Sequence, residues 1–276
     1  MSVKSETNSA TDFKILITAQ EAYPELEKRC LSAETEIMMC FRVFDPWTRL
    51  RSVEAREIGK TWVDLIEHLL RRGIRMHLTI SDFDPVALPD AHRDTWAAVR
   101  ALHAAGELSG RPELLTARAL MHPARLGWLP RTLLWPRAWI ERNKTAERLN
   151  ALPLPQRDHY LREAPRLRSS LRAKAKRLAA RIWPVPHLYP ATHHQKLAVI
   201  DRERLYIGGL DLNERRYDDP EHDRAADNTW HDVQISMQGP AAKAALLHLQ
   251  TFEAVTPGAT PPELTGIIRT VSRKRR

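Results

Sequence analysis

The sequence predicts an α/β fold: a mixed β-sheet flanked by helices, carrying a basic helical insertion. Three observations predict it. From Ile15 to Gly106, apolar runs of strand length alternate with helical periodicity, the rhythm of a sheet covered by helices. From Arg111 to Pro190 the chain turns basic and proline-rich, with 17 Lys or Arg against 5 Asp or Glu. Past Pro190 strand signals return in "KLAVID", "RLYIGGL" and "DVQISM".

After a polar arm over residues 1–14, "ILIT" (Ile15 to Thr18) reads as a brief strand. "PELEKRCLSAE" reads as a helix and "EIMMCFRVFD" as a buried strand bounded by charge. In "GKTWVDLIEHLLRRG", Trp62, Leu65, Ile66 and Leu69 share a helical face, and Gly73 stands where a C-terminal cap belongs. "IRMHLTISDFDP" is the next strand, and "DAHRDTWAAVRALHAAG" a helix expected to stop at Gly106. Residues 107–190 read as an insertion, and "QRDHYLREAPRLRSSLRAKAKRLAARIW" within it has a strongly basic helical half. Trp128, Trp135, Trp139 and Trp183 are spread through it. The insertion is either a solvated helical cap or an interfacial surface, with arginines for lipid phosphates and tryptophans at headgroup level. "GPAAKAALLHLQTFEAV" closes the unit as a helix, with Pro240 in the first turn, where a missing N–H costs little. The domain is assigned to 15–256, and 257–276 to a basic tail or a connector to a second half.

A chain of 276 residues can bury a sizeable core. Hydrophobic content of 43% and charged content of 28% are ordinary, but a net charge of +9 is not. It favours anionic partners: phospholipid surfaces, nucleic acid or phosphorylated substrates. "MSVKSETNSATDFK" lacks the basic start and apolar core of a signal peptide, and no apolar run approaches the roughly 18 residues that span a bilayer. A cytoplasmic or peripheral-membrane location is therefore expected. Cys30 and Cys40 form neither a disulfide framework nor a zinc set, and read as buried thiols.

Chemistry concentrates in "ATHHQKLAVIDRERLYIGGLDL". His194 and Lys196 are two apart, so an extended strand puts both on one face and His193 on the other. An imidazole beside an ammonium suits a phosphoryl group. The ring attacks phosphorus or passes a proton, and the ammonium neutralises a non-bridging oxygen. Gly208 and Gly209 allow a backbone to approach a phosphate closely. His187, His193, His194, His222 and His231 show no helical ligand spacing, and Ser236 has no nucleophile elbow around it. Neither a metal, another cofactor nor a serine triad is expected.

H-x-K-x4-D, then G-G-x-D, then W-H-D-V before a strand ending in G-P-A-A, resembles the phospholipase D superfamily. The run "HHQKLAVIDRERLYIGGLDLNERRYDDPEHD…NTWHDVQISMQGPAA" is most similar to its phosphatidylcholine-hydrolysing branch. The resemblance implies roles. His194 is the histidine that forms a phosphohistidine or protonates the leaving alcohol, and Lys196 binds phosphate. Asp201, the third motif letter, is mainly structural. Asp232 orients the histidine, fixing its tautomer. Gly208, Gly209 and Asp211 border the phosphate. Relatives often carry Ser and Asn in that turn, and an ionised Asp211 would repel the substrate.

The family's reaction uses two motif histidines on opposite sides of phosphorus, and this chain holds one copy. Three readings stand: pairing with a second copy about a two-fold axis, completion by a missing second half, or a catalytically silent lipid-binding half-domain. The expected substrate class is a glycerophospholipid at a membrane surface. The alternative is a single-copy nuclease acting on nucleic acid as a homodimer.

Overall fold

A computed structural model of the chain describes residues 11–174, 177–223, 225, 228 and 230–256. The tail assigned to 257–276 and the first ten residues of the polar arm lie outside the described residues. The frame is a seven-stranded mixed sheet. Strands β2 (Glu36–Phe41), β3 (Arg75–Ser81) and β4 (Leu115–Leu120) run parallel, joined by helices α2 (Val53–Ile58), α3 (Trp62–Arg71) and α4 (Pro89–Ser109). An insertion follows, with helices α5 (Trp128–Asn150), α6 (Leu154–Glu163) and α7 (Pro165–Ser170) and the antiparallel pair β5 (Leu171–Lys174) and β6 (Arg177–Ala180). The chain re-enters the sheet as β7 (Lys196–Ile200), antiparallel to β2, and continues antiparallel through β8 (Arg204–Gly208) and β9 (Val233–Gln238). β1 (Thr11–Ile17) pairs with β9 at the edge, α1 (Thr18–Leu31) follows it, and α8 (Pro240–Val255) closes the order β1-β9-β8-β7-β2-β3-β4.

Alternation along β2 divides the core. Ile37, Met39 and Phe41 join Ile80, Ala198 and Tyr206 beneath α1, α3 and α4. Met38 and Cys40 join Leu197, Val199 and Leu205 beneath Ala242 and Leu249 of α8. A strand covered on both faces has no polar alternation, which is why β2 and β7 read as continuous apolar runs. Both cysteines are buried and unpaired, and burial pushes the Cys40 thiol up to about 12.

Four local readings change. α1 begins at Thr18 rather than Pro24, because Glu21 reaches back to the Ile17 amide (2.8 Å) and satisfies a free donor of the first turn. α4 runs through Gly106 and ends at Gly110 in the left-handed region (φ +73°); Gly106 serves packing, since a Cβ there would press on Leu115 of β4 at 3.3 Å. β4 itself lies inside the stretch assigned to the insertion, which therefore starts after Leu120. Within the basic run 171–180, read as helix, Leu171–Lys174 and Arg177–Ala180 form the β5–β6 pair. Asn143 and Asn150 of α5 satisfy its outer edge, accepting from the Ala180 and Leu178 amides (3.1 and 2.8 Å). That partner lies a helix away in sequence and overrides local helix propensity.

The insertion is fastened to the sheet by polar ties around its own small core of Leu149, Tyr160, Leu167 and Leu171. Arg148 forks onto Asp90 (2.8 and 2.9 Å). Arg166 Nε donates to the fully buried Asp82 (3.1 Å), which also holds His92 Nδ1 at 2.5 Å.

Asp201 sits past the last residue of β7, at the opposite end of that strand from Lys196. Its carboxylate accepts the amides of Glu34, Thr35 and Glu36 (3.0, 2.8 and 3.1 Å) and pairs with Arg204. Burial works against that charge, but the amide hydrogen bonds hold the carboxyl below its usual range. Asp201 ties the start of β2 to the β7–β8 turn and takes no part in the His194 cluster. Asp201→Ala is expected to lower stability by about 2 kcal/mol in a denaturant titration, from several orphaned donors, and to leave kcat unchanged.

Candidate functional site

Strand direction decides where the chemistry gathers. The carboxyl ends of β2, β3, β4 and β8 and the amino ends of β7 and β9 meet at one end of the sheet, because Phe41 pairs with Lys196 and Gly208 with Gln234. That end is where open α/β sheets present side chains to ligands. It collects Arg42, His194, Lys196, Gly209, Asp211 and Asp232, from four separate stretches of chain.

Lys196 is the buried centre. Its ammonium donates to His194 Nδ1 (3.0 Å) and to the His194 carbonyl (3.2 Å), and lies 3.8 Å from Asp211 Oδ1. The Lys196 and Asp211 side chains are 2% and 1% exposed. Asp211 accepts the Val43 amide (2.9 Å), and its other oxygen faces Arg216 at 3.8 Å without a hydrogen bond. Burial raises the Asp211 carboxyl, against the pull of Lys196. Burial lowers Lys196, reinforced by Arg42 and Arg216 and opposed by Asp211. His194 stands exposed at the mouth, and the cost of its partial desolvation, then Lys196, then Arg42, lower its basicity. A weakly basic imidazole thus stands beside Lys196 and Arg42, whose charges, with that of Arg216, act on one buried carboxylate.

The other expected positions are placed as follows. His193 points to the opposite face, its ring edge-on to Phe252 of α8 (4.1 Å) and 4.8 Å from His122, and burial pushes it down to about 4. Gly208 and Gly209 are required by close protein neighbours: a Cβ on Gly208 would collide with the Val233 carbonyl and Gln234, and one on Gly209 with the Asp232 carboxylate. Asp232 accepts from the Val233 amide (2.9 Å), and its charge acts on Lys196. Among the described residues no hydrogen bond joins it to His194.

No protein-family model matches the chain. A stretch of 89 residues is 30% identical to phospholipase D delta of Arabidopsis thaliana. The match covers 21% of this chain and 10% of that protein, so the chain spans a small fraction of its curated relative. Over that stretch the chain is similar to a phospholipase D.

Solved structures similar to this chain include the phospholipase D family member Nuc from Salmonella typhimurium, at TM-score 0.47 and 10% identity over 90% of this chain and 97% of that one. NucT from Helicobacter pylori follows at TM-score 0.44 and 13% identity, covering 90% and 100%. The phosphatidylserine synthase of Haemophilus influenzae gives TM-score 0.45 and 10% identity, covering 95% and 44%.

The sequence reading missed two members of the cluster, Arg42 and Arg216. Arg42 follows β2, with its guanidinium 5.4 Å from the Phe83 ring and its buried Nε unpartnered. Arg216 lies flat on Trp230 at 3.4 Å, in the loop after "GGLDL". The available signals were a lone arginine closing an apolar run and the tandem Arg215-Arg216.

Proposed function

We propose that the chain hydrolyses or transfers a phosphodiester through a phosphohistidine on His194, with a glycerophospholipid as the substrate class. The observation that carries this reading is the exposed, weakly basic imidazole held by Lys196 Nζ at 3.0 Å, with the charge of Arg42 acting on the same ring. Lys196, Arg42 and Arg216 take the non-bridging oxygens, and Asp211 is their counter-charge rather than a phosphate ligand. The branch resemblance, phosphatidylcholine hydrolysis, belongs to this proposal. So does the orienting role of Asp232, acting on the ring once Lys196 has moved to the phosphate.

In the proposed step the His194 Nε2 lone pair attacks phosphorus as the ester P–O bond breaks. The departing alkoxide takes a proton from a second ring opposite, an imidazolium that is left as neutral imidazole. Water, or another alcohol, then attacks phosphorus as the P–N bond breaks, gives its proton back to that imidazole, and frees His194 with phosphatidate or a new phosphodiester. Lys196 donates to Nδ1, so the neutral ring holds its proton on Nε2. Transfer of Lys196 onto a phosphate oxygen releases Nδ1 to take that proton and bares Nε2. The second imidazole comes from a second copy of the chain or from a complementing half.

Headgroup release from phosphatidylcholine vesicles, run beside plasmid cleavage, both with chelator, tests the reading. Release that resists chelator and yields a phosphatidyl-alcohol when a primary alcohol is added is expected. Cleavage of DNA without lipid turnover overturns the substrate class in favour of the nuclease reading, to which a net charge of +9 is suited. Turnover lost to chelator and restored by zinc overturns the histidine chemistry.

A further inference from the structure

We propose that the amino-terminal half of α5, together with the segment from Arg181 to Pro184, is a docking face that seats the site on an anionic phospholipid bilayer. The inference rests on the lipid reading above and names the surface that would deliver it.

α5 is apolar on the wrong side for a helix that only caps a domain. Its inner face, Ala138, Arg142, Thr145, Ala146 and Leu149, is buried and partly polar. Its outer face carries Leu129, Leu133 and Ile140 at helical spacing, 61%, 73% and 43% exposed. Trp128 and Trp183 are 71% and 75% exposed, and Ile182 lies beside Trp183 at 57%. Hydrogen bonds draw the two stretches together: Leu126 N–H to the Leu188 carbonyl (3.0 Å), Arg131 to His187 (2.9 Å), and Arg142 to the Arg181 carbonyl (2.8 Å). Several large exposed apolar side chains on two stretches tied to one another mark an interaction site.

Charge selects the occupant. No Asp or Glu occurs between Glu113 and Glu141, nor between Glu163 and Asp201, while Arg125, Arg131, Arg137 and Arg181 fall within those intervals. Arginine over lipid phosphates, with tryptophan and leucine below them, is the composition of a helix lying in a bilayer interface. A nucleic-acid backbone would use the arginines but give nothing to Leu129, Leu133, Ile140 or Ile182. Among the described residues no helix is long and apolar enough to cross a membrane, so the face lies on the bilayer.

Position supports the same occupant. The insertion leaves the sheet at Leu120 and returns at Lys196, both at the end that holds His194. His122, two residues past β4, reaches the ring of His193, next to His194 (4.8 Å). A bilayer on this face lies on the same end of the molecule as the cluster.

Sedimentation of the full chain with sucrose-loaded phosphatidylcholine vesicles, with and without phosphatidylglycerol, tests the face. Binding to the anionic vesicles that weakens with salt is expected. Leu133→Glu should cut partitioning by at least about tenfold while its thermal melt and its turnover of a monomeric short-chain lipid stay unchanged. Trp183→Ser serves as the second variant if the first melts early. Unchanged partitioning in both overturns the face. So does tighter binding to duplex DNA lost in the same variants, or a change in their molar mass showing self-association. Vesicle binding without headgroup release would sink the phosphodiesterase reading and leave the docking face standing. Turnover without vesicle binding would do the reverse.

Discussion

Lys196→Met is expected to lower stability by about 3 kcal/mol and turnover by about three orders of magnitude. The two losses have different causes. Stability falls because the substitution takes from Asp211, 1% exposed and with the Val43 amide as its hydrogen-bond donor, the ammonium at 3.8 Å, leaving Arg216 at 3.8 Å and the charge of Arg42. Turnover falls because the cation nearest His194 is gone. The stability loss should depend on pH. Burial already raises the Asp211 carboxyl, and without Lys196 it rises further. A carboxyl raised on folding stabilises the fold below its unfolded value and loses that contribution as pH rises through the folded one. The variant should therefore be closest to wild type in acid and furthest from it near neutrality. Lys196→Met with Asp211→Asn removes both charges, and should recover most of the stability and none of the turnover. Denaturant titrations across pH, beside headgroup release, measure both. Recovered turnover in the double variant would show that the ammonium does not serve the phosphate.

His194→Asn is expected to behave oppositely, abolishing turnover by at least about 10⁴-fold while shifting stability by less than about 0.5 kcal/mol. His194 is exposed and precedes β7, so the core loses nothing with it. Its pH signature is equally specific. Attack needs the neutral ring, and partial desolvation, Lys196 and Arg42 all lower its basicity. The rate of wild-type enzyme should rise with pH through a midpoint below the ordinary histidine value of about 6.5, and fall again at higher pH as the second ring loses the proton it must donate. Lys196→Arg keeps the charge and should keep that midpoint. A midpoint above the ordinary value would mean that the ring meets a negative environment, contrary to the cluster described.

What the sequence disclosed of this site was what a single strand can encode. His194 and Lys196 share a face because they are two apart on an extended chain, and His193 lies on the other for the same reason. The convergence of Arg42, Asp211 and Arg216 depends on β7 pairing antiparallel to β2 and on the loop after β8, and no local pattern carries that. The doubt over Asp211 as a phosphate ligand finds its physical reason in the buried cations it faces. The glycine pair was legible as a close approach, but the neighbours that require it are Val233, Gln234 and Asp232. The same limit governed the fold. β2, β3, α3 and β7 are local apolar patterns and were legible, whereas β5 and β6 are strands because Asn143 and Asn150 meet them from another element. Gly106 was read as a stop because its partner, Leu115, lies on a strand that its own sequence barely marks.

The most direct test of the account is the fate of phosphorus during turnover. A preparation shown to release headgroup is mixed with ³²P-labelled phosphatidylcholine, quenched in alkali, digested, and its peptides read by mass spectrometry. The account predicts a phosphoramidate on His194 in the peptide that contains "HHQK", absent in His194→Asn. Label found on another residue, or an active preparation that never acquires it, would contradict the account.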